Sequence, residues 1–329
     1  MIDRISVVIC CYNSSKTISK TIQSLIKQSL DYEYYEIIIV DNNCIDNTLT
    51  LVTNALKNTN IVYSIIKENK QGLIYARKSA LDYVNNQITV FVDDDNILEQ
   101  DYLIKVLRTF RERKKVGVIG ANICPLVDND LPKWFFKYQG VFACGPLESK
   151  SSDLTSSRVT MFGAGLSFRT HILKNIMSTY QKPVLVGRTG NILLRGDDSE
   201  LCLRCVLQKW QVWYEHDLHI QHNIESSRIS WEYVMKARYG GGIASIILDM
   251  YRSQIFSHSI KPHRTTMISV FLEYLSFTFF RNGYWLRNSI GSEQSFRYWY
   301  LLGRVKGVIS IRRKKYKEII KEIQKIDIR

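Results

Sequence analysis

The feature that most constrains the fold is a series of short apolar segments that each end abruptly in polar residues. Nearly unbroken apolar segments of this length are typical of strands buried on both faces of a sheet. Segments with apolar residues at helical spacing lie between them. The apolar segments and the polar residues that follow them are Ile5–Cys11 with Tyr12 and Asn13, Glu36–Val40 with Asp41, and Ile88–Val92 with Asp93, Asp94 and Asp95.

Two further segments, 61–66 and 116–123, continue this alternation of strands and helices. The alternation favours right-handed crossovers and a mostly parallel sheet that is covered by helices on both faces. In such sheets, ligands bind outside the carboxyl ends of the strands. The sequence therefore predicts an α/β fold with a Rossmann-like sheet and a polar site along one edge of it.

The three consecutive aspartates Asp93–Asp95 are the first candidates for chemistry. Carboxylates at the end of a buried strand suit a hard cation such as Mg²⁺ or Mn²⁺, which prefers oxygen ligands. Such a cation would allow an acidic site to accept a diphosphate. The alternative is a solvated acidic loop that caps the next helix, which is predicted to start near Leu98.

A second acidic cluster, Asp197 and Asp198 with Glu200, opens a helix predicted over 195–208. A positioned carboxylate can act as a general base toward a hydroxyl. Carboxylates at a helix start can equally be capping residues with no chemical role. A short strand is predicted over 211–214, and beyond it His222 is either a further metal ligand or a structural histidine.

Six motifs resemble in order and spacing those of family 2 of the glycosyltransferases, which has the GT-A fold, and the resemblance covers roughly residues 6–231. Two positions differ from the common family pattern, because Lys78 stands where Asn is common and Asp197 replaces the usual Glu. The motifs are Ser6–Asn13, Ile39–Thr48, Gly72 with Ala76 and Arg77, Phe91–Asn96, Gly163–Gly165 with Arg169, and Gly196–Leu201.

The resemblance implies a role for each candidate residue. Asp198 would be the catalytic base, Asp95 would bind the metal, and His222 would complete the metal coordination. Gly163, Gly165 and Asp197 would lie on the acceptor side. The donor nucleotide-sugar would be bound by Tyr12 and Asp41 at the base, Asp93 or Asp94 at the ribose, Arg77 at the diphosphate, and also by Cys11 and Asn13.

The same resemblance implies an inverting enzyme that uses Mn²⁺ or Mg²⁺ and a nucleotide-sugar, with a UDP-sugar as the expected donor. The acceptor would be a hydroxyl of a glycan or lipid-linked saccharide in cell-surface polysaccharide synthesis. Processive relatives carry a Gln-x-x-Arg-Trp block, whereas in Gln294–Trp299 the Trp is displaced by one position, so a single transfer is expected. The catalytic domain would span 1–230, with a donor part over 1–125 and an acceptor part over 126–230.

The remaining residues, 231–329, are predicted to form a helical, basic region. Residues 1–203 contain 24 basic and 21 acidic residues, whereas residues 204–329 contain 21 and 10. One predicted helix, 316–326, has isoleucines on one face and lysines on the other, and Met267–Phe280 is apolar but too short to span a bilayer. We therefore expect this region to contact an anionic membrane surface or, as the alternative, to pack on the catalytic domain or against a second copy of the chain.

Other classes of protein are less consistent with the sequence. The basic stretch Arg312–Lys325 could bind nucleic acid, but its isoleucine face fits a membrane or a helix better, so no nucleic-acid partner is expected. A dinucleotide-dependent oxidoreductase is disfavoured because the first strand lacks G-x-G-x-x-G. A nucleotidyltransferase using the same sheet edge stays open. The seven cysteines and the absence of a signal-peptide pattern favour the cytoplasm, with the protein at most peripheral on the inner membrane face.

Overall fold

The computed structural model describes residues 3–179, 185, 193–257, 259–280 and 287–327. Its described strands form one nine-stranded sheet. They are β1 (Ile5–Cys11), β2 (Tyr35–Asp41), β3 (Val62–Lys67), β4 (Ile88–Asp93), β5 (Asn96–Leu98), β6 (Val116–Leu126), β7 (Ser152–Asp153), β8 (Ser167–Arg169) and β9 (Gln211–Asn223). The strand order is β3-β2-β1-β4-β8-β6-β9-β5, and β7 pairs with β9 outside that path.

The sheet is mostly parallel, as the sequence predicts. Strands β1 to β4 run in one direction, with β1 in register between β2 and β4. Strand β8 lies antiparallel between β4 and β6, and β9 is parallel to β6. The carboxyl ends of β1, β2 and β4 therefore meet at one edge of the sheet, where the polar residues follow each strand.

Helices cover both faces of the sheet. Alternate residues of β1 point to opposite faces, so that Val7 and Ile9 belong to one apolar core and Val8 to the other. The described helices are α1 (Ile18–Ile26), α2 (Thr48–Leu56), α3 (Leu73–Ala80), α4 (Tyr102–Glu112), α5 (Phe135–Tyr138), α6 (Thr170–Ser178), α7 (Asp197–Leu207), α8 (Trp231–Ser257), α9 (His263–Leu275), α10 (Glu293–Ser310) and α11 (Arg313–Asp327).

Two local predictions next to the site are wrong. The segment Asn96–Leu98 is strand β5 rather than the start of a helix, and α4 begins only at Tyr102. Strand β9 does not stop at residue 214 but continues to Asn223, so His222 lies within a strand. The register between β9 and β6 shifts at residues 216–218, which are not paired with β6. This shift interrupts the alternation of apolar residues along β9. The residues of β9 that follow it also pair with β5.

The glycine run Gly240–Gly242, predicted as a break, lies inside the continuous helix α8. A side chain on Gly242 would collide with the backbone of Tyr300, and one on Gly303 would collide with that of Tyr239. The glycines thus allow the backbones of α8 and α10 to pack directly against each other. This close packing offsets the usual cost of glycine within a helix.

The last helix, α11, packs on earlier elements of the chain. On α11, the apolar face predicted from the isoleucine spacing is buried in the same core as α7 and α8, through Tyr316, Ile319, Ile323 and Ile326. This face has its helix partner within the chain. No helix in the described ranges is both long enough and apolar enough to cross a bilayer.

Candidate active site

The loops after β1, β2 and β4 are joined at the carboxyl edge of the sheet. The backbone amide of Tyr12 donates to Asp94 Oδ2 at 3.3 Å, which links the ends of β1 and β4. Asn13 has a positive φ of 52°, and its Oδ1 accepts from the amide of Ile45 at 2.9 Å. Positive φ is tolerated by Asn better than by most residues. These contacts hold the loops together at the sheet edge, and we call the edge that they border the cleft.

The residues predicted to bind the nucleotide differ in how far they face this cleft. The Tyr12 ring is 55% exposed and can stack on a base. Asp41 is mostly buried, and its Oδ1 accepts from the amide of Cys44 at 2.8 Å. Cys11 is fully buried, and its carbonyl accepts from the amide of Asn42 at 3.0 Å, so it does not face this cleft. Burial raises the pKa of the Cys11 thiol well above its ordinary range.

Asn42 was not among the predicted site residues, although its side chain holds two loops together at the cleft. Its Nδ2 donates to the carbonyls of Glu68 and Lys70 at 2.8 and 2.9 Å. Its Oδ1 accepts from the amide of Gly72 at 2.8 Å. Asn42 therefore joins the end of β2 to the loop that starts α3. The only sequence signal for this role is its position directly after Asp41.

The three aspartates lie between two strands. Asp93 ends β4, and Asp94 and Asp95 form the turn into β5. The fully buried Asn96 holds this turn, because its Oδ1 accepts from the amide of Asp93 at 3.2 Å and its Nδ2 donates to Asp95 Oδ1 at 3.0 Å. Burial raises the pKa of Asp93, and it raises that of Asp94 to about 7. The Asn96 contacts and strand β5 make this an ordered turn between two strands, not a loop that caps α4.

Asp95 and His222 come together although 127 residues separate them, since β5 pairs with β9. The distance from His222 Nε2 to Asp95 Oδ2 is 3.3 Å. His222 Nδ1 lies 2.9 Å from the carbonyl of Phe142, which can only accept, so Nδ1 carries a proton and Nε2 is the nitrogen that faces the carboxylate. When Nε2 carries no proton, it and Asp95 are two facing acceptors, which suit a cation placed between them.

The donor set fits a hard divalent cation whose other ligands come from a substrate. No group of three or more His, Cys, Asp or Glu side chains able to hold a metal occurs among the described residues. Mg²⁺ commonly takes only one or two protein ligands together with phosphate oxygens and water. Arg228 Nη1 also approaches Asp95 Oδ2, at 3.5 Å, so a positive group already borders this position. Arg228 was not predicted as a site residue.

Arg77 connects the aspartates of β4 to those that open α7. Its guanidinium is 1% exposed and lies over the ring of Phe91, 4.8 Å from the centroid. Nη1 donates to Asp198 Oδ1, and Nη2 lies 3.7 Å from Asp93 Oδ1. Nη1 is also 3.7 Å from Asp197 Oδ2. Arg77 therefore lies beneath the cleft, buried against three carboxylates.

The two aspartates at the start of α7 differ in their exposure. Asp198 retains 26% side-chain exposure and faces the cleft, whereas Asp197 is buried. Burial and the neighbouring Asp198 charge raise the pKa of Asp197 to about 7. Of the two, only Asp198 is accessible from the cleft. Asp197, predicted on the acceptor side, lies below it.

The glycines of the acceptor-side motif make room for this arrangement. A methyl group built on Gly163 would overlap the Asp198 carboxylate, whose Oδ2 is its nearest neighbour. Gly165 has φ +75°, its amide donates to the carbonyl of Phe91 at 2.9 Å, and its carbonyl accepts from Tyr102 Oη at 2.8 Å. Both glycines therefore shape the site by lacking a side chain.

Profiles of two related protein families match the chain. The profile described as Glycosyl transferase family 2 matches residues 6–163. The profile described as Glycosyl transferase family group 2 matches residues 88–303, which is roughly two thirds of the chain. Together the two matches include all the candidate site residues.

Characterised and uncharacterised bacterial proteins are similar over part of the chain. It is 30% identical over 115 residues to the uncharacterized glycosyltransferase YfnE of Bacillus subtilis (strain 168), covering 35% of this chain and 29% of that protein. It is 25% identical over 179 residues to the poly-beta-1,6-N-acetyl-D-glucosamine synthase of Staphylococcus epidermidis, covering 53% and 42%. The matched segment thus spans less than half the length of these curated relatives.

Two solved structures share the fold over nearly the whole chain. S. aureus TarS 1–349 in complex with UDP-GlcNAc superposes with a TM-score of 0.56 at 15% identity, covering 98% of this chain and 90% of that one. The mannosyltransferase PcManGT from Pyrobaculum calidifontis, in complex with GDP-Man and Mn²⁺, gives 0.61 at 13% identity, covering 95% and 88%. These superpositions confirm the predicted GT-A-like fold.

Proposed function

The chain belongs to family 2 of the glycosyltransferases, and we propose that it transfers one sugar from a nucleotide-sugar to an acceptor hydroxyl with inversion at the anomeric carbon. The observation that carries this proposal is the bridge formed by Arg77 between Asp93 and Asp198. It joins the aspartates that would hold the donor to the carboxylate that would activate the acceptor. A site of this kind brings both substrates to one sheet edge.

The donor would lie along the loops after β1, β2 and β4. The exposed Tyr12 ring would stack on the base, with Asn13 and Asp41 beside it, and Asp93 and Asp94 would line the ribose. A UDP-sugar is the proposed donor, because TarS binds UDP-GlcNAc on the same fold. A GDP-sugar is the other candidate, since the mannosyltransferase was solved with GDP-Man.

Asp95 and His222 would hold Mn²⁺ or Mg²⁺ against the diphosphate. When bound, such a cation supplies positive charge that stabilises the departing diphosphate. His222 is oriented for this by its contact with the carbonyl of Phe142, and Asp95 by its contact with Asn96. Arg228 would add a second positive charge beside Asp95.

Asp198 would act as the general base. Its Oδ1 is held by Arg77, which leaves Oδ2, the oxygen next to Gly163, to accept the proton of the acceptor hydroxyl. The hydroxyl oxygen then attacks the anomeric carbon from the face opposite the diphosphate, and a single displacement inverts that centre. Arg77 acts through Asp198 in this scheme, as a positioning residue rather than as a ligand of the diphosphate.

The acceptor would be a glycan or a lipid-linked saccharide used for a cell-surface polysaccharide. The named relatives that make poly-beta-1,6-N-acetyl-D-glucosamine support this class of product. Transfer of a single sugar is proposed because the sequence lacks the Gln-x-x-Arg-Trp block of processive relatives. The reaction would take place in the cytoplasm, where nucleotide-sugars are made and where reduced cysteines are stable.

The test is to incubate the protein with a panel of UDP- and GDP-sugars, Mn²⁺ and saccharide acceptors. We expect one donor to be consumed with release of nucleoside diphosphate and with formation of a product of inverted anomeric configuration. Release of pyrophosphate would instead indicate a nucleotidyltransferase. A product that keeps the donor's anomeric configuration would contradict the single displacement.

A further inference from the structure

Helix α9 carries an apolar stripe that no described part of the chain covers. Ile268, Leu272, Leu275 and Phe279 follow one another at intervals of four, three and four residues along α9 and the π-helical turn Ser276–Phe280 that extends it. This spacing places them on one face of a helix. Their exposed fractions lie between 43% and 72%. We call these four residues the α9 ridge.

The opposite face of α9 packs against the rest of the chain. Val270 is buried in the main core, and Phe277 is buried against α10 together with Tyr298 and Leu301. The helix is therefore anchored, and the exposure of the ridge does not result from a detached segment. Scattered single apolar residues at a surface need no explanation, but an aligned set on successive turns indicates a contact surface.

A cluster of basic residues lies at the end of α9 from which the ridge begins. Tyr316 Oη donates to the carbonyl of Lys261 at 2.9 Å and lies 3.0 Å from Thr266 Oγ1, so the start of α11 sits against the start of α9. His263 Nε2 lies 3.1 Å from the carbonyl of Val308, at the end of α10. The exposed members of this basic cluster are Lys261, Arg264, Arg312, Arg313 and Lys314.

From this arrangement we infer that the α9 ridge and the basic cluster dock the protein on an anionic lipid surface. An amphipathic helix that lies in a membrane interface inserts its apolar face, while adjacent lysines and arginines attract anionic headgroups. The one exposed acidic residue of the ridge helix, Glu273, is offset by Arg297 and Arg304 at 3.7 and 3.9 Å. The charge beside the ridge is therefore complementary to anionic lipid.

A second copy of the chain is a less suitable occupant. A second copy would offer the ridge an apolar partner but would offer the basic cluster no negative charge, whereas an anionic lipid surface offers both. The isoleucine face of α11 is already buried inside the chain, so it adds no further apolar surface to a dimer. The inference goes beyond the proposed transfer reaction and is tested without it.

The experiment is co-sedimentation of the full chain with phosphatidylcholine vesicles, with and without phosphatidylglycerol, at low and high salt. We expect binding only to the vesicles that contain phosphatidylglycerol, and weaker binding at high salt. The combined changes R312E, R313E and K314E should lower the partition coefficient on the order of a hundredfold, because each basic residue at an anionic surface raises that coefficient about fivefold. The matched control K20E, K57E and K114E makes the same change in net charge at exposed positions outside the cluster and should have a smaller effect.

The ridge is tested separately with Leu272→Ser and Phe279→Ser in one chain. Both side chains are exposed, so the fold should persist, and binding to anionic vesicles should fall at least tenfold. The control Val62→Ser with Tyr83→Ser removes two exposed apolar side chains elsewhere and should leave binding unchanged. Unchanged binding by the ridge variant would overturn the inference. So would a wild-type dimer in solution that the ridge variant converts to monomer, because the ridge would then belong to a second copy.

Discussion

Arg77 donates a hydrogen bond from Nη1 to Asp198 Oδ1, although the two residues lie 121 positions apart. The contact joins α3 to the start of α7 and fixes the orientation of the carboxylate that faces the cleft. It also places one buried guanidinium close to the carboxylates of Asp93, Asp197 and Asp198. In the proposed mechanism, the stability of the site and the position of its base therefore depend on the same residue.

The Arg77–Asp198 pair can be tested by a double-mutant cycle. Arg77→Gln alone should lower the free energy of unfolding by about 3–5 kcal/mol, because removing one partner of a buried ion pair leaves uncompensated charge. Asp198→Asn in the same chain should recover part of that loss. Urea unfolding of the four chains gives the coupling free energy. Strictly additive effects would show that the two side chains do not interact in solution.

A side chain at Gly163 should disturb the base without disturbing the fold. Gly163→Ala places a methyl group where the Asp198 carboxylate lies, so the rate constant of transfer should fall by roughly 10²-fold or more if that carboxylate is the base. The dissociation constant of the donor should change little. In the control Gly241→Ala, the added methyl group has no neighbouring atom within 4 Å. Because this change removes a glycine from the interior of a helix, it should stabilise α8 by about 0.5–1 kcal/mol. Wild-type turnover by Gly163→Ala would argue against the described placement of Asp198.

The raised pKa of Asp197 predicts a pH-dependent effect on stability. Between its ordinary value of 3.8 and about 7, the folded state holds a proton that the unfolded state has lost, so the contribution of Asp197 to stability falls as pH rises through this range. Asp197→Asn removes this dependence. The Tm of the variant should therefore exceed that of the wild type increasingly from pH 5 to pH 8.

Thermal melts over that pH range provide the measurement. The change Asp82→Asn at an exposed position serves as the control for loss of a surface charge. A difference in Tm between Asp197→Asn and the wild type that stayed constant with pH would contradict the assignment of the raised pKa.

Metal binding should depend on both Asp95 and His222. Calorimetric titration of Mn²⁺ into the protein with UDP present should show binding that weakens tenfold or more in Asp95→Asn and in His222→Gln, because each removes one of two protein ligands. Asp82→Asn should bind Mn²⁺ like the wild type. If both ligand variants kept full Mn²⁺ affinity, the cation would be held elsewhere or by the nucleotide alone.

The strands that the sequence predicts well are those buried on both faces. In β1, β2 and β4, consecutive apolar side chains point to both faces of the sheet, so they are all buried only when helices cover both faces. The polar residues after these strands lie at the sheet edge, as predicted. The family motifs then suggest which of these polar residues matter. The GT-A-like fold could therefore be predicted from the sequence alone.

The predictions that fail depend on contacts between distant segments. The second half of β9 is polar and shifted in register, and its partner β5 is only three residues long. The sequence pattern of either segment alone therefore does not identify it as a strand. The burial of Arg77 follows from three carboxylates contributed by two distant segments, and spacing cannot reveal it. Likewise, the isoleucine pattern of α11 shows an apolar face but does not show that α7 and α8 cover it.

The most direct test of the account compares Asp198→Asn with the wild type in two measurements on the same preparations. The first is the dissociation constant of the donor in the presence of Mn²⁺, and the second is the rate of nucleoside diphosphate release with acceptor present. We expect nearly equal donor affinity and a rate about 10²–10⁴-fold lower in the variant, which is the usual contribution of a positioned base. Donor affinity retained together with near wild-type turnover would show that Asp198 serves only as the ion-pair partner of Arg77 and that another group activates the acceptor.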